Sequence, residues 1–463
     1  MPTVTQRQAR GEQARTEVPL ADLGEYSPAS GRADPVALLE SQSETRVPGL
    51  VPVRYGRMLA SPFTFFRGAA LIMASDLSRL PHSDLEAQLC GDAHLSNFGA
   101  FASPERHLVF DINDFDETHP GPFEWDVKRL VTSMEVAARD RGFRKKERAD
   151  IVLRCAQSYR ETVASLATMG RLDVWYSTLD VDQAIGQLMP MLKAKDAKRS
   201  RASLAKARTR TSLQAADKLT RIVDGARQFV DDPPIIERFA TIVDVDHLDG
   251  AALAESFARS WQQYTDSLQP DRRHLLSGYS FVDLAFKVVG VGSVGTRAWA
   301  VLCQGRDPSD LLMLQVKEAQ ASVLEAFTRP SAYSQHGERV VQGQRLLQSA
   351  SDIFLGWAHF EFEAESSTDY YVRQLRDWKA SADVAAMSAS ALSLYGTMCA
   401  GVLAKGHARS GDRVALAAYL DQGADFDEAM ARFARAYADQ NEDDYRAFSG
   451  AAASGRITAT TDI

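Results

Sequence analysis

The sequence predicts an α+β chain of two lobes, a larger one mainly helical and a smaller one built on a sheet. Three observations carry this. Apolar residues recur at i, i+3 and i+4 through VKRLVTSMEVAARD and ADIVLRCAQSYRETVASLATMG, the spacing of amphipathic helices. FVDLAFKVVGVGSVGTRAWAVLCQG reads as strand, glycine turn, strand, and LLMLQVKEA follows the turn RDPSD as another strand. From Asp383 onward the chain is Ala-rich with helical spacing. At 463 residues, 45% hydrophobic and 25% charged, it has the composition and length of a globular protein of roughly three domain-sized units.

Residues 1–34 are polar and lack apolar periodicity, which predicts a mobile N-terminal arm. Residues 35–275 are expected to form the larger lobe. Within them the apolar stretch AALIMASDL reads as a compact element, and a run rich in Gly, Asp, Asn and His surrounds the strand HLVF. The basic segment 193–211 (KAKDAKRSRASLAKARTRT) reads as a solvated helix or loop, in preference to a docking strip for an acidic partner. Residues 276–380 are expected to form the smaller, β-rich lobe. There Ala319–Phe327 and Gly337–Ser349 read as helices, and GWAHFEFEAESSTDYYVRQLRDWK alternates as two more strands. Residues 381–463 are expected to be helices that complete the larger lobe. No internal repeat is evident.

Lysine and arginine number 53 against 61 aspartates and glutamates, a net charge of −8. Such a chain lacks the basic footprint of sequence-independent nucleic-acid binding, so any anionic ligand must be held by a local site. Cys90, Cys155, Cys303 and Cys399 form no CxxC or zinc spacing and are expected to be buried, reduced thiols. The N-terminus has no apolar signal region, and no window offers about 18 uninterrupted apolar residues. The expectation is a cytoplasmic protein without membrane association, with a protein partner or oligomer left open.

Chemistry concentrates in two places. Gly91-Asp92-Ala93-His94-Leu95-Ser96-Asn97 precedes Asp111-Ile112-Asn113-Asp114-Phe115-Asp116-Glu117. Phosphoryl transfer needs a carboxylate to orient and deprotonate the attacking hydroxyl, and an amide oxygen plus a second carboxylate to hold Mg²⁺ against nucleotide phosphates. Asp92 and Asn97 have the Asp-x-x-x-x-Asn spacing of a kinase catalytic loop. Asp114-Phe115-Asp116 stands where such a chain has Asp-Phe-Gly, with Asp in place of Gly. Asp92 is thus the candidate base; Asn97 and Asp114 are candidate metal ligands, with Asp116 or Asp111 beside them. His94 is expected to orient its neighbours. Acidic loop residues are often only turn formers, but this whole pattern is more than turns require.

The second place is Gly290-Val291-Gly292-Ser293-Val294-Gly295. The residues after it are β-prone, which favours a glycine loop between antiparallel strands over the helix-opening nucleotide fingerprint. Its backbone amides can approach phosphate oxygens closely. Lys317 on the next strand would neutralise phosphate charge and needs an acidic partner, for which Glu325 and Glu338 are candidates and Glu338 is preferred. The strand Tyr370–Leu375 would offer its backbone to adenine. Arg67, beside Gly68, is a candidate phosphate grip, although an ion pair to a local aspartate is as good a reading.

GDAHLSNFG, NDFDE and PFEWDVKRL resemble the DUF2252 family over about residues 51–412. The family is distantly similar to aminoglycoside phosphotransferases and protein kinases. That resemblance implies a protein-kinase-like two-lobed fold, with Asp126 opening a helix and bracing the loop that carries Asp92. The order is inverted, since Asp92 precedes the glycine loop. His407-Ala-Arg409-Ser-Gly-Asp412 is a poor alternative catalytic loop, because Ala417 stands five residues after Asp412. A circularly permuted arrangement resolves this, with Asp92, Asp114, Gly292 and Lys317 converging and His407 and Arg409 structural or at the margin of the cleft. The expected function is transfer of phosphate from ATP, with Mg²⁺, to a small-molecule hydroxyl. The alternatives are a nucleotide-binding pseudokinase or scaffold, a protein kinase, and an AMP transferase.

Overall fold

The computed structural model describes residues 2–233, 235–246, 250–288, 294–363, 366–375 and 378–461. The first 34 residues are not the arm that their polarity predicts. Helix α1 (Val4–Glu17) opens on a capping box between Thr3 and Gln6, which satisfies two orphan N–H groups reciprocally. Its only buried residues are Gly11 and Ala14. A Cβ on Gly11 would lie 2.1 Å from the Ala415 carbonyl, so the helix docks through small residues, and such docking leaves no apolar stripe to read. Arg32 then bridges Asp76 (2.8 Å) and Asp444 (2.6 Å), joining the start of the chain to its end.

Helices α2 (Pro35–Ser43), α3 (Val51–Met58) and α4 (Pro62–Gly68) each carry proline in the first turn, where its missing N–H is no loss. Strand β1 (Glu86–Leu89) leads into the Gly91–Asn97 loop. β2 (Phe98–Ala102) and β3 (Leu108–Ile112) pair antiparallel, and β4 (His119–Pro122) returns to β1. α5 (Phe123–Asp140) and α6 (Lys145–Thr168) occupy the stretches that helical spacing predicts. The basic segment forms α7 (Ala194–Arg208), largely exposed. α8 (Ser212–Leu219) and a hairpin of β5 (Thr220–Val223) and β6 (Ala226–Phe229) follow.

One antiparallel sheet of six strands dominates the second half. It comprises β7 (Ile236–Arg238), β8 (Ser280–Lys287), β9 (Ala298–Gln304), β10 (Leu311–Ala319), β11 (Gly356–Glu363) and β12 (Ser366–Gln374), in the order β11-β12-β10-β9-β8-β7. The sheet begins at residue 236, ahead of the expected boundary at 276. The helix at Gly250–Ser267, α9, belongs to it too. Its Phe257, Trp261 and Tyr264 fall on one helical face and, with Leu268, pack on Leu284, Val301, Leu314 and Val372.

Between β10 and β11 lies α10 (His336–Leu347). Ala319–Phe327, expected as a helix, forms turns. Its polar groups bond outward instead: the Ser322 hydroxyl donates to the Glu117 carbonyl (2.8 Å) and the Val323 N–H to the Glu117 carboxylate (2.8 Å). The chain returns through β13 (Ala380–Ser381), which pairs with β2. It ends in α11 (Ala389–Ser410), α12 (Arg413–Leu420) and α13 (Asp425–Ala453), which pack on α5 and α6. Their largest core joins Val127, Leu130, Val131, Tyr159, Cys399 and Leu403; fully burying one such aliphatic side chain contributes about 1.5–3 kcal/mol. The fold is therefore α+β. All four cysteines are free and buried, and no helix among the described residues is long and apolar enough to cross a membrane.

Candidate active site

A cleft of about 1090 Å³ runs between the sheet and the loops that follow β1 and β3. Asp92, His94, Asn97, Asp114, Asp116 and Glu117 line it from one side, and Thr296, Arg297 and Glu318 from the other. That size lies just above the range for pockets that enclose small ligands, roughly 300–1,000 Å³.

The Asp92 loop is fixed from below by α5. Asp126, in the first turn of that helix, accepts from the Cys90 N–H (2.8 Å) and the Gly91 N–H (3.1 Å), while His407 Nε2 approaches it at 3.3 Å. One turn on, Arg129 donates Nε–H to Asp92 Oδ1 (2.8 Å) and a second N–H to the Phe66 carbonyl (2.7 Å), with its guanidinium 3.9 Å from the Phe66 ring centre. Asn97 donates its amide N–H to the Asp92 carbonyl (2.9 Å), which turns the amide oxygen outward. His94 Nδ1 accepts from the Ser96 N–H, and Nε2 stands 3.6 Å from Asp92 Oδ2. Burial pushes the His94 imidazole down to about 4, so it is neutral near pH 7. Gly91 has φ +85, and a Cβ there would meet the Glu117 carbonyl at 2.0 Å. Only glycine lets the two acidic loops close on each other.

Asp116 carries the junction with the sheet. Lys317 Nζ donates to Asp116 Oδ2 (2.6 Å), and the Tyr371 hydroxyl donates to Oδ1 (2.6 Å). Lys317 and Tyr371 face each other across β10 and β12. Burial alone would raise the Asp116 carboxyl, but Lys317 and the two hydrogen bonds hold it down to about 2. Burial works against the Lys317 charge, yet Asp114 and Asp116 together raise its pKa. The Asp114 carboxyl is raised, first by burial and then by Asp116. Burial also pushes Glu117 up to about 7.

Several sequence expectations change at this point. The acidic partner of Lys317 is Asp116, not Glu338. From the helix that holds Glu338, the next residue, Arg339, reaches the second acidic loop, donating to the carbonyls of Thr118 (2.6 Å), Asp116 (2.8 Å) and Gln320 (2.7 Å). Asp116, expected as a metal ligand, has its carboxylate engaged by Lys317 and Tyr371. Asp111 points away from the cleft and pairs with buried Lys405 of α11. Of Tyr370–Leu375, expected to offer its backbone to adenine, Tyr370, Tyr371 and Val372 are paired on both sides, with β10 and β11; Arg373 and Gln374 pair with β10 alone, the Gln374 N–H donates to Asp352 (2.6 Å), and the Leu375 N–H donates to the Met313 carbonyl (2.9 Å). Beyond it, Trp378 N–H donates to the Arg210 carbonyl, and the Arg210 guanidinium donates to the Lys379 carbonyl (2.8 Å each). Ala215, Ala216 and Phe229 cover the adjoining sheet face of Ala285, Ala300, Leu302 and Met313. His407 bonds Tyr159 (2.8 Å) and is structural. Asp412 caps α12 and pairs with Arg7, well separated in its role from Asp92.

Gly290, Gly292 and Ser293 lie outside the described residues. Gly295, at φ +91, is described: its carbonyl accepts from the Val47 N–H (2.8 Å), and Arg46 packs where a Cβ would stand. Arg67 lines the same cleft as Asp92. Sequence reasoning gave no role to Arg129, Tyr371, Arg46, Arg54 or Glu117. For Arg129 a signal existed: three residues after Asp126 on a helix, it shares that residue's face.

The oxygen set has the chemistry of a divalent-cation site. Asn97 and Asp114 both line the cleft, and a cation there would relieve the desolvated Asp114. No cluster of three or more His, Cys, Asp or Glu able to hold a metal is present among the described residues. Mg²⁺ tolerates this, because it keeps waters and takes phosphate oxygens.

The sequence model of a family described as an uncharacterized protein conserved in bacteria (DUF2252) matches residues 46–451. No curated protein and no solved structure matches the chain.

Proposed function

The chain belongs to the DUF2252 family, and we propose that it is an ATP- and Mg²⁺-dependent phosphotransferase that moves the γ-phosphate to a hydroxyl of a small-molecule acceptor. One observation carries the reading. Lys317, from β10, pairs at 2.6 Å with the Asp116 carboxylate, which lines the same cleft as Asp92, Asn97 and Asp114. The sheet supports a kinase-like arrangement. β8 and β9 stand on either side of residues 288–297, the lysine stands on β10, α10 follows, and β11 and β12 end the order β11-β12-β10-β9-β8-β7. Those parts come in the kinase sequence of glycine loop, lysine strand and helix. The loops of Asp92 and Asp114 precede all of them in the chain, the order that a circularly permuted arrangement would have.

In the proposed reaction the acceptor oxygen bonds to the γ-phosphorus as the bond to the β-phosphate oxygen breaks, releasing ADP. The hydroxyl proton passes to Asp92. Arg129 occupies Oδ1 of that carboxylate and directs Oδ2 to the cleft; neutral His94 steadies it without competing for the proton. Lys317 supplies positive charge at the phosphates, and its pairing with Asp116 fixes its position. Asn97 and Asp114 would hold Mg²⁺, which when bound neutralises charge building on the phosphoryl oxygens.

The chain segment that covers the sheet near Leu375 favours one second reading, a pseudokinase that binds nucleotide without turning it over. ATP turnover separates the two. Asp92→Asn is expected to abolish turnover and to retain nucleotide binding, with phosphate rather than adenylate on the product by mass spectrometry. Binding without turnover across a broad panel of hydroxyl acceptors would overturn the transferase reading.

A further inference from the structure

Three arginines from residues 46–67 stand in the cleft wall beside Asp92. Arg54 is 1% exposed and Arg46 7%; Arg67 is partly buried and lines the same space. A guanidinium keeps its charge in a protein, so a buried one normally has an anionic partner. None of these does: among the described residues no acidic oxygen lies within 4.0 Å of any of them. Their bonds go to neutral groups. Arg46 donates to the Val294 carbonyl (2.6 Å), and Arg54 to Gln42 Oε1 (2.7 Å), the Gly68 carbonyl (3.1 Å) and Ser43 Oγ (3.4 Å). The Nε–H groups of all three are buried and unpartnered.

Carboxylates act on them only from farther off, Glu117 and Glu318 on Arg46, Asp92 and then Asp114 on Arg67. Burial lowers the pKa of each guanidinium, and Arg46 adds to the effect on Arg54. In a chain of net charge −8, three buried or half-buried guanidiniums without a direct carboxylate partner on one wall constitute a local anion site. Guanidinium forks match the tetrahedral oxygens of phosphate.

We propose that this wall holds a phosphate group of the acceptor, so that the substrate offered to Asp92 is itself a hydroxyl-bearing phosphomonoester. The inference rests on the phosphotransferase reading for the word acceptor; the phosphate subsite stands on the arginines alone. Lys317 and the Asn97–Asp114 oxygens already provide for a triphosphate. Arg67 is coupled most strongly to Asp92, the acceptor's side of the reaction.

The test uses the full-length protein and inorganic phosphate, by calorimetry and thermal shift. Wild type is expected to bind phosphate. Arg67→Gln and Arg46→Gln are each expected to weaken binding at least tenfold, and Arg67→Lys to recover part of it. Arg67 donates to no described residue, so its replacement removes no described hydrogen bond, and circular dichroism of the Arg67 variants checks that they fold and keeps the test decisive should Arg46 variants fail to fold. No phosphate binding by wild type, or equal binding by Arg67→Gln, overturns the subsite. Saturation with a non-hydrolysable ATP analogue and Mg²⁺ separates the two sources of phosphate. Simultaneous binding supports the acceptor assignment, and competition overturns it in favour of the nucleotide. Asp92→Asn is expected to bind phosphate within threefold of wild type, so failure of turnover and failure of this subsite are read separately.

Discussion

Replacing Asp116 with asparagine tests whether the two halves of the cleft are joined electrostatically. In the folded chain its carboxyl sits at about 2, against an ordinary 3.8, because Lys317 and Tyr371 outweigh burial. At 1.36 kcal/mol per pH unit this is about 2 kcal/mol of stabilisation. A depressed carboxyl contributes fully above its unfolded value and loses that contribution as pH falls through the folded one, here from about 4 to 2. Asparagine also leaves the Lys317 ammonium buried with only Asp114 near it. Breaking a buried pair from one side costs about 3–5 kcal/mol. The expected loss for Asp116→Asn at pH 7 is therefore about 2–5 kcal/mol, shrinking below pH 4. Urea unfolding followed by fluorescence and circular dichroism measures it, provided the two signals coincide. The deciding comparison is a cycle with Lys317→Met. The double variant is expected to be at least 2 kcal/mol more stable than the sum of the single losses predicts. Additivity within about 0.5 kcal/mol would refute the coupling.

Three further outcomes follow from the same geometry. Asp126→Ala removes the acceptor of the Cys90 and Gly91 N–H groups. It is expected to lower kcat at least a hundredfold with little change in nucleotide affinity, and unchanged kcat would sink the bracing role. Glu117→Gln reports a raised carboxyl. Between its ordinary 4.5 and about 7, the folded protein keeps a proton that the unfolded chain releases, so wild-type stability falls as pH rises. The glutamine variant is expected to gain on wild type by at most about 3 kcal/mol from pH 4.5 to 7.5, and a difference independent of pH would contradict it. Arg210→Ala removes a charged donor from the Lys379 carbonyl. If ATP must displace residues 210–229, affinity for it is expected to rise about three- to tenfold, worth about 1 kcal/mol; unchanged affinity would mean that the base binds away from this edge.

Much of the fold was legible because its signals are local. The spacing of α5, α6 and α11 and the strand alternation around the glycine turn follow from burial of one face. The α1 helix was not legible, since Gly11 and Ala14 dock it on backbone and leave a polar sequence. The turns of residues 319–327 have helix-forming residues, but the Ser322 hydroxyl and the Val323 N–H are claimed by Glu117, more than 200 residues earlier. For the site, residue types at fixed spacing picked out Asp92, Asn97, Asp114 and Lys317. Spacing could not give the partner of Lys317, because that partner is a contact across the fold. It equally could not distinguish Asp111, on β3 and buried against Lys405, from Asp114, which lies just past the end of β3 and lines the cleft though only three residues later.

The aspartate at 116 then has a physical account. A glycine there would leave Lys317 needing a counter-ion from α10. In this chain that helix turns Arg339 to the loop, bonding the carbonyls of Asp116 and Thr118. A cation placed there cannot neutralise Lys317, so the counter-ion has to come from the loop itself, and Asp116 is the loop residue within reach. One consequence is that the loop's position and the lysine's charge state are set together. Moving the loop away from the sheet would strip Lys317 and Asp116 of each other at once. The loop that presents Asp114 is thereby held against the sheet by the same ion pair that fixes the buried Lys317 ammonium. A chain with its acidic loops ahead of its sheet can in this way lock both halves of the site with one buried contact.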